Sequence, residues 1–285
     1  MALVLTLMVM VLITAMVTEF AYGVYTGTNN LNNWYDSQRL SVLANSGIAI
    51  ASGIISERAG RGNYTYPGFV DMEIESPSKD FDARMNLRIL DENSKFNINT
   101  IVYPNGAINE GAYNTFRKLL SYLSVDSSVA YYVADWIDSD AEERMAGSEK
   151  GAKNARLYSV DELMLIKGID KNVYEKLSPY ITVYGDGLIN INSAEKPVLA
   201  SLSEKMTDEL AQRIIDYRKA APFEDISQLQ KVAGFNLEIY GPLSAGITVK
   251  GKYFHVTASA DLGGVKRVVE AVIGTGEEIK YWREF

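Results

Sequence analysis

The chain has 285 residues, 47% of them hydrophobic, with a formal net charge of −8, no cysteine and one histidine, His255. That length holds one large domain or two modest ones around a sizeable core. Disulfides, thiolate metal sites and cysteine nucleophiles are excluded, zinc and triad chemistry have almost nothing to draw on, and the acidic balance disfavours nucleic acid as a partner.

Eighteen uncharged residues come first, "MALVLTLMVMVLITAMVT"; Glu19 is the first charge and Arg39 the first basic residue. At helical rise this stretch is roughly 27 Å long, close to the hydrocarbon thickness of a bilayer. A secretory signal would show a basic leader region and a small-residue cleavage site, and a membrane anchor is usually flanked by Lys and Arg. Neither is found here, so the expectation is a membrane helix whose basic leader is removed just before Met1. The Gly and Asn residues of "AYGVYTGTNNLNNWYDSQRL" predict a loosened turn. After it, Leu40, Leu43, Ala44, Gly47, Ile48, Ala51, Ile54 and Ile55 recur at three- and four-residue spacing, an amphipathic helix that stops at "AGRGN". Residues 1–58 therefore read as a membrane helix running into a soluble one.

Val70, Met72 and Ile74 alternate, as do Met85, Leu87 and Ile89, and both runs predict strands. At the other end, "YFHVTASADLGGVKRVVEAVIG" reads as two strands around a tight hairpin. His255 lies in the first of them, where a packing or surface role outweighs a catalytic one. Between these strand regions the pattern is helical: "NEGAYNTFRKLLSYLS", "DSSVAYYVADWID", a capping box from Ser159 to Glu162 closed by Gly168, "NSAEKPVLASL", "TDELAQRIIDYRKA" and the short "DISQLQKVAG". The expected class is α+β. Residues 59–104 and 245–285 form an antiparallel β head, and residues 105–244 an α-helical insert.

Parts of the insert are similar to helix-hairpin-helix (SAM-like) modules, which grip DNA backbones through glycine hairpins. Asp170 replaces the second glycine of a Gly168-Ile169-Asp170 hairpin, and "SLSEKM" stands where the second hairpin would be. Residues 157–244 hold nine basic against thirteen acidic residues, a net charge of −4. Phosphate binding is dominated by cations, so DNA binding is not expected and a compact helical scaffold is.

The loop "DWIDSDAEERMAGSE" sets six acids, Asp135, Asp138, Asp140, Glu142, Glu143 and Glu149, against Arg144. Asp138, Asp140 and Glu142 alternate, so an extended loop would let their carboxylates converge. Glu149 follows Asp138 by eleven residues as in an EF-hand, but Glu143 stands where that loop needs glycine. Two readings remain: an oxygen-rich site for a hard cation, or a solvated acidic loop.

In order and spacing, "LDENSKFNINT", "VADWIDSDAEERMAGSE", "ARLYSVDELMLIKGID", "LSPYITVYGDGLININSAEKPVLASL" and "TDELAQRIIDYRKAAPFEDISQL" together resemble the K-type minor pseudopilins of bacterial type II secretion (general secretion pathway protein K). The resemblance implies a long N-terminal helix beneath a pilin-like head with a large helical insertion. It also implies a leader cut on the cytoplasmic side, a methylated N-terminus and no catalysis. Met1 would then be the mature first residue, and Leu5 would replace the glutamate that most pilin-like subunits carry at position five, which suits a capping subunit. The further implications are a single pass through the inner membrane, a periplasmic C-terminal domain at the pseudopilus tip, and partners among the I- and J-type minor pseudopilins and the major pseudopilin. Ca²⁺ is implied in the acidic region, for which Asp138, Asp140, Glu142 and Glu149 are the candidate ligands. The alternatives are a helix-hairpin-helix DNA-uptake or competence factor and a minor pilin of a type IV pilus.

Overall fold

The fold is given by a computed structural model, which describes residues 1–75 and 81–285. Helix α1 runs unbroken from Ala2 to Arg61, about 90 Å of helix at 1.5 Å per residue. The loosened turn expected near Gly23 and Gly27 does not form. Glycine in a helix interior costs about 1 kcal/mol, too little to break a helix that contains no proline, and Thr26 Oγ1 returns a hydrogen bond to the Tyr22 carbonyl at 2.9 Å. Residues before Ser37 are almost entirely exposed. From there Leu40, Ala44, Gly47, Ile48, Ala51 and Ile55 form one buried stripe.

That stripe lies on a five-stranded antiparallel sheet, β1 (Phe69–Glu75), β2 (Arg84–Asp91), β7 (Tyr253–Leu262), β8 (Val265–Gly274) and β9 (Ile279–Glu284), hydrogen-bonded in that order. Period-two alternation sends Met85, Leu87, Ile89, Val256, Ala258, Ala260, Val269 and Ala271 to the helix side. Gly47 sets the approach, because a Cβ there would fall 2.7 Å from Met85 Sδ and 2.8 Å from Ala258 Cβ. The β7–β8 hairpin closes on Gly263 and Gly264 with φ of 59° and 88°, backbone angles that a two-residue primed turn demands. Strand β9 was not legible in the sequence; its Ile279 and Trp282 are exposed edge residues rather than part of an alternating core pattern.

The chain leaves the sheet after Asp91 and returns at Tyr253, so the insert is longer at both ends than residues 105–244. Phe96, Ile98, Ile101, Ile247 and Val249 belong to its core and not to the head. The reason is two pairs of two-residue strands, each too short to show a period. Strand β3 (Phe96–Asn97) pairs in parallel with β4 (Ile181–Thr182), and β5 (Ile189–Asn190) pairs in parallel with β6 (Ile247–Thr248). Between β3 and β4 lie α2 (Glu110–Tyr122), α3 (Val129–Ile137), a 3₁₀ turn at Val160–Leu165 and α4 (Lys171–Leu177). Between β5 and β6 lie α5 (Lys196–Ser201), α6 (Asp208–Ala220), a 3₁₀ turn at Ile226–Lys231 and α7 (Leu237–Leu243).

The insert is thus two copies of one module. Asn99 Nδ2 donates to the carbonyls of Leu157 and Val183, and its Oδ1 accepts from Leu157 N. Asn192 repeats every bond with Phe223 and Val249. Head and insert meet at buried Asp91, whose carboxylate accepts from Asn93 N at 2.9 Å, Asn190 Nδ2 at 2.7 Å and Ser193 Oγ at 2.6 Å. Burial raises its pKa to about 6 against the pull of those donors. Gly251 is required beside it, since a Cβ would lie 2.5 Å from Asp91 Oδ1.

Candidate functional site: a carboxylate cluster in the first module

Helix α3 ends at Ile137, and its last turn carries Asp135 on the inner face with Asp138 as the C-cap residue. Three-residue spacing puts their carboxylates on one side of the helix. The chain then folds back so that Glu149 joins them, and one oxygen from each of Asp135, Asp138 and Glu149 lies within 4.8 Å of the others. Asp135 and Asp138 are 0% and 1% exposed.

Arg144 enters this cluster from the loop. Its Nη1 donates to both Asp135 and Asp138, and its backbone N–H donates to Asp135 Oδ2 at 2.9 Å. Ser148 Oγ donates to Asp135 as well. Asp138 Oδ1 and Glu149 Oε1 are buried and have no hydrogen-bond partner among the described residues. Burial raises the pKa of Asp138, opposed by its bond to Arg144 and reinforced by the charges of Asp140 and Asp135. Burial likewise raises Glu149, with the charges of Asp138, Asp135 and Asp140 adding to it.

Of the four expected ligands, Asp138 and Glu149 are brought together and Asp140 and Glu142 are not. Both of the latter are exposed. Asp140 Oδ1 instead accepts from Glu142 N at 2.9 Å, a local turn. The alternation argument fails because the loop is not extended: Asp138 caps a helix and the chain turns at once. Asp135 was missed as a ligand although its helical spacing from Asp138 was in the sequence. Arg144 was read only as a lone charge.

The donor set suits a hard cation. Ca²⁺ binds oxygens at about 2.3–2.6 Å, so two ligands on opposite sides of it stand about 5 Å apart, as these carboxylates do. Two buried oxygens of this cluster, Asp138 Oδ1 and Glu149 Oε1, have no partner among the described residues. Three carboxylates facing a single guanidinium also leave negative charge uncompensated, which is costly in a dry site.

The remaining expected residues lie elsewhere. Met1 and Leu5 are at the exposed beginning of α1. His255 is on the face of the sheet away from α1, its Nδ1 3.9 Å from buried Glu92 Oε1, and burial lowers its pKa. The second hairpin of the insert is not at "SLSEKM". It is Gly234-Phe235-Asn236, where Gly234 has φ of 92°, matching Gly168 at 85° in the first.

Two family models, both described as "Type II secretion system (T2SS), protein K", match residues 94–186 and 189–250, nearly coincident with the two modules. Curated relatives include the type II secretion system protein K of Pseudomonas aeruginosa, 25% identical over 222 residues that cover 70% of this chain and 64% of that one. The protein of the same name from Aeromonas hydrophila is 25% identical over 228 residues, 70% and 69% of the two chains. That from Pectobacterium carotovorum is 25% identical over 296 residues, 91% and 86%. The chain thus spans about two thirds of the length of the first two relatives. Among solved structures, a chain in the crystal structure of the GspK-GspI-GspJ complex of the enterotoxigenic Escherichia coli type 2 secretion system superposes with a TM-score of 0.70 at 17% identity, covering 90% of this chain and 99% of that one. The two family matches together take in more than half of the chain, which belongs to the type II secretion system protein K family.

Proposed function

We propose that the protein is a minor pseudopilin, a non-catalytic assembly subunit of a type II secretion machine. The observation that carries the reading is a duplicated helical module set into a sheet-and-helix head on a 60-residue helix. Residues 2–18 of that helix are exposed and apolar and suit a single pass through the inner membrane. The aromatic residues Phe20, Tyr22 and Tyr25 follow directly, where an interfacial belt would lie, leaving the head and insert in the periplasm. The insert supports a place at the filament tip, because a large helical body added to the head obstructs a subunit stacked beyond it. An acid-free opening stretch through Thr18, Leu5 included, offers no carboxylate to pair within an apolar filament core. The solved relative was crystallised with GspI and GspJ, which makes the I- and J-type pseudopilins the expected partners here.

The same reading gives the cluster a structural Ca²⁺. Asp135, Asp138 and Glu149 would hold it, and it would neutralise buried charge and fix the loop that closes the first module. Co-purification tests the assembly role: the full chain in detergent should retain the neighbouring I- and J-type subunits in a ternary complex, and its deletion should stop secretion. A chain that retains neither, in cells that secrete normally without it, overturns the proposal.

A further inference from the structure

We propose that Arg144 is a tethered cation that holds the carboxylate cluster when no metal is bound and is expelled when Ca²⁺ enters; the proposal rests on the calcium reading above. The geometry makes the two occupants mutually exclusive. Arg144 Nη1 touches Asp135 Oδ1 and Asp138 Oδ2 at once, on two of the three residues whose carboxylates come within 4.8 Å of one another, so a metal bridging Asp135 and Asp138 would need the place the guanidinium holds.

Arg144 is an incomplete occupant. A guanidinium donates in one plane, and here it serves Asp135 and Asp138 while Glu149 Oε1 and Asp138 Oδ1 stay without partners among the described residues. Ca²⁺ accepts six to eight oxygens from all directions and would take up both orphaned atoms. The arginine also has a way out and somewhere to go. Its side chain is 22% exposed whereas those of its two partners are fully buried, so it reaches in from the solvent side. Asp140, Glu142 and Glu143, the acids that the cluster leaves unused, line the exposed loop beside it. The backbone bond from Arg144 N to Asp135 Oδ2 does not depend on the side chain, so the loop keeps its anchor while the guanidinium swings. Tyr113 on α2 also lies near Asp135 and Arg144, and Lys167 reaches the same loop, donating to the Ala146 carbonyl at 3.4 Å.

The test is calcium titration of the full-length protein in detergent, wild type against Arg144→Gln and Arg144→Lys, with magnesium as control. The guanidinium's charge-assisted bonds compete with the metal, so their loss should tighten Ca²⁺ binding roughly tenfold to a hundredfold in Arg144→Gln, with Arg144→Lys in between. The calcium-free melting temperature of Arg144→Gln should fall and its calcium-saturated value should return to that of wild type. In the wild type, the Arg144 side-chain Nε–H resonance should move to a solvent-exchanging position as calcium saturates. That last readout and the lysine variant stand even if Arg144→Gln is unfolded without metal. Wild-type calcium binding that Arg144→Gln leaves unchanged or weakens sinks the exchange and spares the calcium reading. Binding by the glutamine variant alone sinks native calcium binding and upholds exclusion by Arg144. No binding by any of the three sinks both.

Discussion

The two modules of the insert are built on the same clamp and differ in one addition. Asn99 and Asn192 make matching bonds, Gly168 and Gly234 share a left-handed turn, and Asp170 and Asn236 cap the helices that follow, accepting from Val173 N and Ile239 N. The first module alone interposes residues 138–156 between its second helix and its clamp partner Leu157; in the second, only Ala221 and Pro222 separate α6 from Phe223. The scaffold therefore needs no acidic loop. The loop is an appended feature, and it brings Asp138 and Glu149 against Asp135 of α3 together with Arg144, the cation that faces them.

The sharpest way to break this picture is to remove Asp135. Asp135→Ala deletes two bonds from the half-buried Arg144, one from its guanidinium and one from its backbone N–H, and leaves Asp138 to hold it; breaking such a pair costs about 3–5 kcal/mol. Denaturant unfolding should register that loss without added calcium. A loss below about 1 kcal/mol would mean that the loop contributes nothing to the first module and is only an exposed ornament on it.

Next in size is the clamp itself. Asn99→Ala strands one N–H and two carbonyls, whereas Asn192→Ala strands the N–H and carbonyl of Phe223 and leaves Val249 O its bond from Thr65 N at 3.0 Å; a cost of about 2–4 kcal/mol is expected for each. The comparison is sharpened by their ratio. Equal losses support two equivalent modules. A much larger loss at Asn192 would show that the second module, which also meets the head through Asn190 and Ser193, is the one that organises the insert.

Calcium should act on the first module only. Ligand that binds the native state alone adds about 2.7 kcal/mol at a hundred times its dissociation constant, and hydrogen exchange should slow in residues 135–157 and not in 208–223. The acid response separates the metal from Arg144. Without calcium, Asp138 and Glu149 have raised pKa values, so the folded state holds protons that the unfolded chain has released. Stability contributed there is present at low pH and declines as pH rises from the ordinary carboxylate range through the raised values. With calcium the sign reverses, because protons compete for the same oxygens. Melts at pH 5 and pH 7, with calcium and with chelator, should cross; parallel curves would place the cation elsewhere.

How much of this was legible beforehand follows from the length of each signal. The α1 stripe repeats over about four turns from Leu40 to Ile55, and β2 and β7 alternate over eight residues or more, so head and helix could be read directly. Strands β3 to β6 hold two residues each and carry no period. The duplication was nevertheless in plain view: Leu163, Gly168, Leu177, Ile181, Thr182 and Val183 recur 66 positions later as Leu229, Gly234, Leu243, Ile247, Thr248 and Val249. Taking "SLSEKM" as the second hairpin hid that spacing. In the cluster, Asp138 and Glu149 could be picked by type and distance. Asp135 was within reach through its three-residue helical spacing from Asp138; Arg144 was not, because which charges a loop turns inward is decided by how it packs against α2 and α3.

The smallest expected effect concerns nucleic acid, and the paired hairpins make it specific. A helix-hairpin-helix grips phosphate with free backbone amides at the start of its second helix. In both modules one of those amides is already taken. Asp170 Oδ1 accepts from Val173 N at 2.8 Å, and Asn236 Oδ1 from Ile239 N at 3.1 Å. A bound phosphate would have to displace a cap and, in the first module, sit against a carboxylate. With −4 net charge over residues 157–244 there is little counterion release to offset that. The full chain should therefore give no mobility shift with duplex DNA at low salt, where electrostatic binding is strongest. Asp170→Gly, which frees an amide and removes a charge in the first hairpin only, should still give none or at most weak, salt-abolished binding. Micromolar binding by the wild type with a steep salt dependence would reverse the reading of both hairpins and favour a DNA-uptake role over a secretion one.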